Sequence, residues 1–212
     1  MKKTDYYTLV QASYMNHASS FSLLFISLSV YFGSNQSFQA DTRFAQSELL
    51  HLFYAQFYHL SIKHLCLNLL GLALISWGWA NQLTPFKWLV LWLFSLWAAP
   101  LWLVLIEPIT WYAGLSGALH AQFSALLLLS LASAHSTKRN HSKFQSITPT
   151  VWLLMMAAGL ILKLGLELYS TGNEITPFNE LIAYEAHRGG TALGILIGLL
   201  MHAVDRMHTN HA

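Results

Sequence analysis

Residues 86–106 read FKWLVLWLFSLWAAPLWLVLI, and between Lys87 and Glu107 no charged residue interrupts the run. As an α-helix rising ~1.5 Å per residue, such a stretch spans about 30 Å, the thickness of a bilayer's hydrocarbon core. Working outward, five more apolar stretches of similar length occupy residues 18–34, 64–80, 115–134, 150–170 and 187–204. Barrel strands would be shorter and would alternate in polarity. The pattern predicts an all-α polytopic membrane protein, a bundle of six transmembrane helices forming one domain over residues 1–212. The first stretch follows Lys2 and Lys3 as a leader peptide would. The segment before it is long, however, and Phe38 is a poor small-residue cleavage position, so it is read as a retained span.

Composition agrees. Of 212 residues, 55% are hydrophobic, 14% aromatic and only 9% charged, where soluble domains carry about 25% charge. This much apolar surface cannot be covered in water, which excludes a soluble enzyme and a disordered chain. A net charge of +2 supplies no basic field for a phosphate backbone, so no nucleic-acid partner is expected. The single cysteine, Cys66, excludes an intramolecular disulfide framework and a CxxC metal site.

Lysine and arginine set the orientation. Lys2, Lys3, Lys87, Lys138, Arg139, Lys143 and Arg206 fall on one side of the predicted spans, against Arg43, Lys63 and Arg188 on the other; Lys163 lies within the fifth span. Both termini are therefore expected to be cytoplasmic, and spans two, four and six begin at the outer face. Those three spans open with the chain's most reactive side chains: His64 and Asn68 in HLCLN, Ser116 in WYAGLSGALHA, and His187 in EAHRGGTALG. Parity alone carries them to a common depth.

A serine attacks a carbonyl once a base takes its proton, and histidine, with a pKa of about 6.5, is the usual base. Gly114 and Gly117 flank Ser116, leaving its hydroxyl accessible, and the amides at a helix start could hold a developing oxyanion. Taken alone, this stretch also reads as an N-cap serine between packing glycines. His187 precedes a stripe of Gly190, Gly194 and Gly198, and Ser116 precedes one of Gly117, Ala121 and Ala125. Two small-residue stripes let helix backbones approach closely and bring Ser116 toward His187. By itself His187 could equally be a hydrogen-bonded packing histidine. His64 and Asn68, spaced i, i+4, share one helical face and can donate to an oxyanion or simply to a neighbouring helix. No aspartate precedes His64 or His187 at helical spacing, so a Ser116–His187 dyad without a carboxylate partner is expected.

Other features are set aside. His202, Asp205, His208 and His211 lie near the chain end without an HExxH pattern, and no metal or cofactor is expected. Lys163 and Glu167 read as an interfacial ion pair, Cys66 as a packing residue off the His64–Asn68 face, and Pro100 as a kink in span three.

In their order and at their span starts, HLCLN, GLSG and AHRGGTALG resemble the motifs of the rhomboid intramembrane serine proteases, over roughly residues 49–204. The resemblance implies a rhomboid-like fold with Ser116 as nucleophile and His187 as base. It also implies His64, Asn68 and the Ser116 amide as oxyanion donors. ELLHLFYAQFYHLSIKHLCLN looks like the family's partly embedded first loop, with Leu50-His51 where Trp-Arg is common. The six-span length and WYAGLSGALHA are similar to the bacterial rhombosortase branch. That likeness implies an inner-membrane protease with its site toward the periplasm, whose partners are lipids and the transmembrane segments of exported proteins bearing C-terminal GlyGly tails. A general rhomboid protease, a non-catalytic binder of transmembrane helices and a small transporter are the other readings. Intact Ser116 and His187 weigh against the binder, and the lack of paired broken helices or a carboxylate relay weighs against the transporter.

Overall fold

The computed structural model describes residues 3–33, 49–106, 112–137, 147–169 and 183–210. Among the described residues seven helices follow one another: α1 (Lys3–Gly33), α2 (Leu49–Ala55), α3 (Ile62–Trp79), α4 (Pro85–Leu105), α5 (Ser116–Thr137), α6 (Ile147–Tyr169) and α7 (Tyr184–Asn210). The helix starts have local causes. Ser61 Oγ accepts from His64 N at 3.1 Å to cap α3. Thr84 caps α4 through Lys87 N, with Pro85 in the first turn, where a missing N–H costs nothing. Pro100 lies inside α4, which runs on to Leu105 as one helix.

Helices α3 to α7 are each long and apolar enough to cross a membrane. The protein is thus a polytopic α-helical membrane protein. The expected first span is helical but starts at Lys3 rather than residue 18, and α1 falls short of the apolarity of the other five. Its apolar face is diluted by Asn16, His17 and a series of serines. Asn16 docks it: its side-chain amide donates to Ala80 O at 2.7 Å and Leu83 O at 2.9 Å, satisfying carbonyls of the α3–α4 turn. Near that end of the bundle Lys87 Nζ meets Asp205 Oδ1 at 2.5 Å, which ties α4 to α7.

Helix α5 runs through the middle of the bundle, packed against α3, α4, α6 and α7. Lipid tails are as apolar as leucine, so close backbone approach and buried hydrogen bonds hold these helices together. The α5–α7 seam shows this. A Cβ built on Gly194 would lie 2.3 Å from Ala121 O, and one on Gly198 3.1 Å from the Ala125 Cα. Ser95 Oγ donates to Gln122 Oε1 at 2.9 Å, linking α4 to α5 inside the core.

Helix α6 stands apart. Among its described side chains only Glu167 is buried. A cavity of about 1030 Å³, lined by residues of both helices, lies between α6 and α3. Exposed Leu70, Leu93 and Ile161 face outward on α3, α4 and α6, as they would toward lipid. Cys66 is also exposed rather than packed. It does lie off the face that carries His64 and Asn68, but among the described residues no helix covers that side of α3.

Candidate active site

Helices α3, α5 and α7 run in one direction, and their N-terminal turns converge at the head of the cavity, which is lined there by His64, Asn68, Ser116 and His187. Ser116 begins α5 and His187 lies in the first turn of α7. Ser116 Oγ is 2.9 Å from His187 Nε2. The seam between the helices sets this distance: a Cβ on Gly190 would fall 2.1 Å from Gly117 O, and one on Gly117 would fall 2.4 Å from the Ala99 Cβ. A larger residue at Gly190 would push the α5 and α7 backbones, and the two side chains they carry, apart, whereas one at Gly117 would first strike Ala99 on α4.

Gly114 has φ +101°, a left-handed conformation that side chains disfavour. Its N–H donates to Ala55 O at 3.1 Å, pinning the turn before Ser116 onto α2. A Cβ here would lie 2.5 Å from His64 Cε1 and 3.3 Å from Asn68 Nδ2, so both side chains press on the Gly114 backbone. Asn68 is buried and its amide nitrogen makes no hydrogen bond within the described protein, leaving a donor directed into the site. His59, in the loop before α3, packs edge-on to His64 at 5.1 Å and bonds the Phe57 carbonyl at 3.1 Å. Burial, reinforced by the charge of His64, lowers its pKa to about 4 despite that bond, so the ring is neutral. Buried Tyr112, whose phenol sits beside Gly117, is held in its neutral form by desolvation.

The other nitrogen of His187 is also engaged. Nδ1 lies 2.9 Å from Glu167 Oε1, and Lys163 Nζ donates to the same carboxylate oxygen. Lys163 Nζ is itself 3.3 Å from Nδ1. The expectation of a histidine without a carboxylate partner is therefore corrected, and the Lys163–Glu167 pair is more than an interfacial ion pair. Helical spacing from His187 does not reach Glu167, because Glu167 comes from a different helix. The available signal was the pair itself, since ionisable groups inside an apolar span normally face a functional interior. His120 was also missed. Four residues after Ser116, and so on the same face of α5, its ring stacks on His187 at 4.3 Å and 16°. Its Nδ1 bonds Ser116 O at 2.7 Å. The stack fixes the plane of the His187 ring, and the Glu167 contact fixes its rotation within that plane.

Among the described residues no group of three or more His, Cys, Asp or Glu side chains could hold a metal ion. Comparison with curated proteins finds no significant match. Residues 46–204 match the family described as Rhomboid domain, a stretch that takes in α2 through most of α7 and every residue of the site. The chain therefore belongs to the rhomboid family.

Proposed function

We propose that this protein is an intramembrane serine endopeptidase that cleaves the membrane anchors of exported proteins. The observation that carries the reading is the 2.9 Å approach of Ser116 Oγ to His187 Nε2 at the head of a cavity open between α3 and α6. Family membership supports it, because rhomboids are generally intramembrane proteases.

In the proposed reaction a substrate helix enters between α3 and α6 and unwinds at its outer end, because a helical carbonyl is shielded by its own hydrogen bond. Ser116 Oγ attacks the exposed carbonyl carbon while His187 Nε2 takes its proton. The oxyanion is met by His64, Asn68 and the Ser116 amide. On collapse His187 returns the proton to the leaving amine, and an acyl-Ser116 ester remains. Water then attacks the ester with His187 again as base, releasing the new carboxylate. Acyl transfer of this kind needs neither metal nor cofactor.

The basic-residue asymmetry supports cytoplasmic termini and a site toward the outer face, and the likeness to the rhombosortase branch supports a bacterial inner membrane with the site toward the periplasm. Residues 138–143, which carry three of the deciding charges, lie outside the described residues. The likeness of WYAGLSGALHA to the rhombosortase branch supports C-terminal GlyGly tails as substrates. The chemistry agrees with that likeness, since each glycine weakens a helix by about 1 kcal/mol relative to alanine and so lowers the cost of unwinding. The test is a co-expressed reporter with a GlyGly tail ahead of its anchor. Processing at or near the glycines is expected, and it should stop when both glycines become leucine while membrane insertion continues. Equal cleavage of the leucine tail would favour a general rhomboid protease. Insertion without cleavage of either tail, combined with no labelling of Ser116 by a fluorophosphonate, would leave a non-catalytic helix binder.

A further inference from the structure

One carboxylate is aimed at the site from outside the expected residue set. Helix α6 touches its neighbours lightly, yet the one described side chain it buries is an acidic one. A lone carboxylate in a low-dielectric interior is costly, and such a group is normally paired or neutralised. Glu167 has both Lys163, one turn before it, and His187 on the adjacent helix.

The two neighbours make opposite demands on the imidazole. If Nδ1 carries the proton it donates to Glu167, and Nε2 is left with a lone pair facing the Ser116 hydroxyl. If Nδ1 is bare it accepts from Lys163, 3.3 Å away, and the proton sits on Nε2, where it blocks the serine. Only the first tautomer can deprotonate Ser116. During attack His187 becomes an imidazolium, which the carboxylate stabilises and the ammonium opposes.

We propose that Glu167 is a positioning residue for His187: its carboxylate holds the Nδ1 proton and so keeps Nε2 open toward Ser116, while Lys163 pairs with the same carboxylate oxygen. This rests on the reading of Ser116 and His187 as nucleophile and base, and adds a third member supplied by the loosely packed helix. Because α6 also forms one wall of the cavity, displacing it to admit a substrate would carry Glu167 and Lys163 together, and the two therefore act on His187 as a unit. The other groups facing His187 are His120, stacked on its ring from α5, and Tyr184 and Glu185 from α7, with Glu185 engaged by Arg188. His64 lines the same cavity from α3.

The experiment measures the rate at which a fluorophosphonate labels the full chain in detergent, from pH 5 to 9. Labelling of wild type but not of Ser116→Ala establishes the nucleophile; if wild type is not labelled, that reading and this inference fall together. Glu167→Ala should then slow labelling by roughly 10²-fold or more, as expected when a base histidine is left in the wrong tautomer. Lys163→Met added to Glu167→Ala should recover at least about tenfold, because the competing donor is gone; a merely structural role predicts no such rescue. Glu167→Gln keeps the size of the side chain, so it reads the inference even where Glu167→Ala does not fold. Without the negative charge, the acidic limb of its pH profile should move about one unit lower. Wild-type labelling with Glu167→Ala within about twofold of it, or an unmoved limb in Glu167→Gln with no rescue in the double variant, would overturn the role of Glu167 and leave the Ser116–His187 pair standing.

Discussion

Gly190 and Gly117 meet backbone to backbone, so closely that a Cβ on Gly190 would lie 2.1 Å from the Gly117 carbonyl oxygen. Because the obstruction is backbone, no side-chain rotation relieves it, and α7 must move. Gly190→Ala should cost on the order of 1–3 kcal/mol, the usual penalty for overpacking. It should also widen the gap between Ser116 and His187. Thermal unfolding in detergent and fluorophosphonate labelling should fall together. An unchanged unfolding temperature would show that the seam is looser than the structure has it.

Ser116 and His187 are proposed to work as one unit, so their losses should not add. Ser116→Ala and His187→Ala should each remove most reporter cleavage, and the double variant should be no worse than the poorer single one. Additive losses in log rate would mean that the two residues contribute independently.

His64→Ala and Asn68→Ala bear on a different step. An oxyanion donor stabilises the transition state more than the bound substrate, and losing one costs roughly 10²-fold in turnover. The fall should appear in kcat, with KM little changed. A rise in KM at constant kcat would move these two side chains from the oxyanion to substrate binding.

His59 predicts a pH dependence of stability. Its pKa is about 4 in the folded protein, against about 6.5 when unfolded. Between those values the unfolded chain binds more protons, so stability rises with pH up to about 6.5 and is lost as the pH falls toward 4. Going from pH 7 to pH 5, His59 alone should remove about 1–2 kcal/mol. His59→Asn retains a donor for the Phe57 carbonyl but cannot titrate. Its unfolding temperature should therefore drop less than that of wild type on acidification. Parallel pH curves for the two proteins would rule out this assignment.

Much of this arrangement is local information and could be read from the chain. Apolar run lengths mark the spans α3 to α7, and successive spans joined by short connections alternate in direction. Alternation brings the openings of alternate spans, with His64, Ser116 and His187, to one end. The spacing of Gly190, Gly194 and Gly198 is likewise legible, because residues four apart lie on one face of a helix whatever that helix packs against. Cys66 shows the limit of such reasoning. Its side of α3 follows from the spacing, but whether that side meets protein or lipid does not.

Glu167 and His120 lie beyond that limit for the same reason. How far α6 is rotated about its axis, and how near it stands to α7, depends on contacts between segments distant in sequence. Glu167 points at His187 only once α5 and α7 have closed on their glycines and α6 has come to rest against them. The opening between α3 and α6 is likewise a property of how far apart two helices stand, which neither helix's residues encode alone. The sequence by itself determined which side chains sit at the head of each span. Tertiary packing decided which atoms they face, because helix rotation and separation are set by the sum of many weak contacts across the bundle.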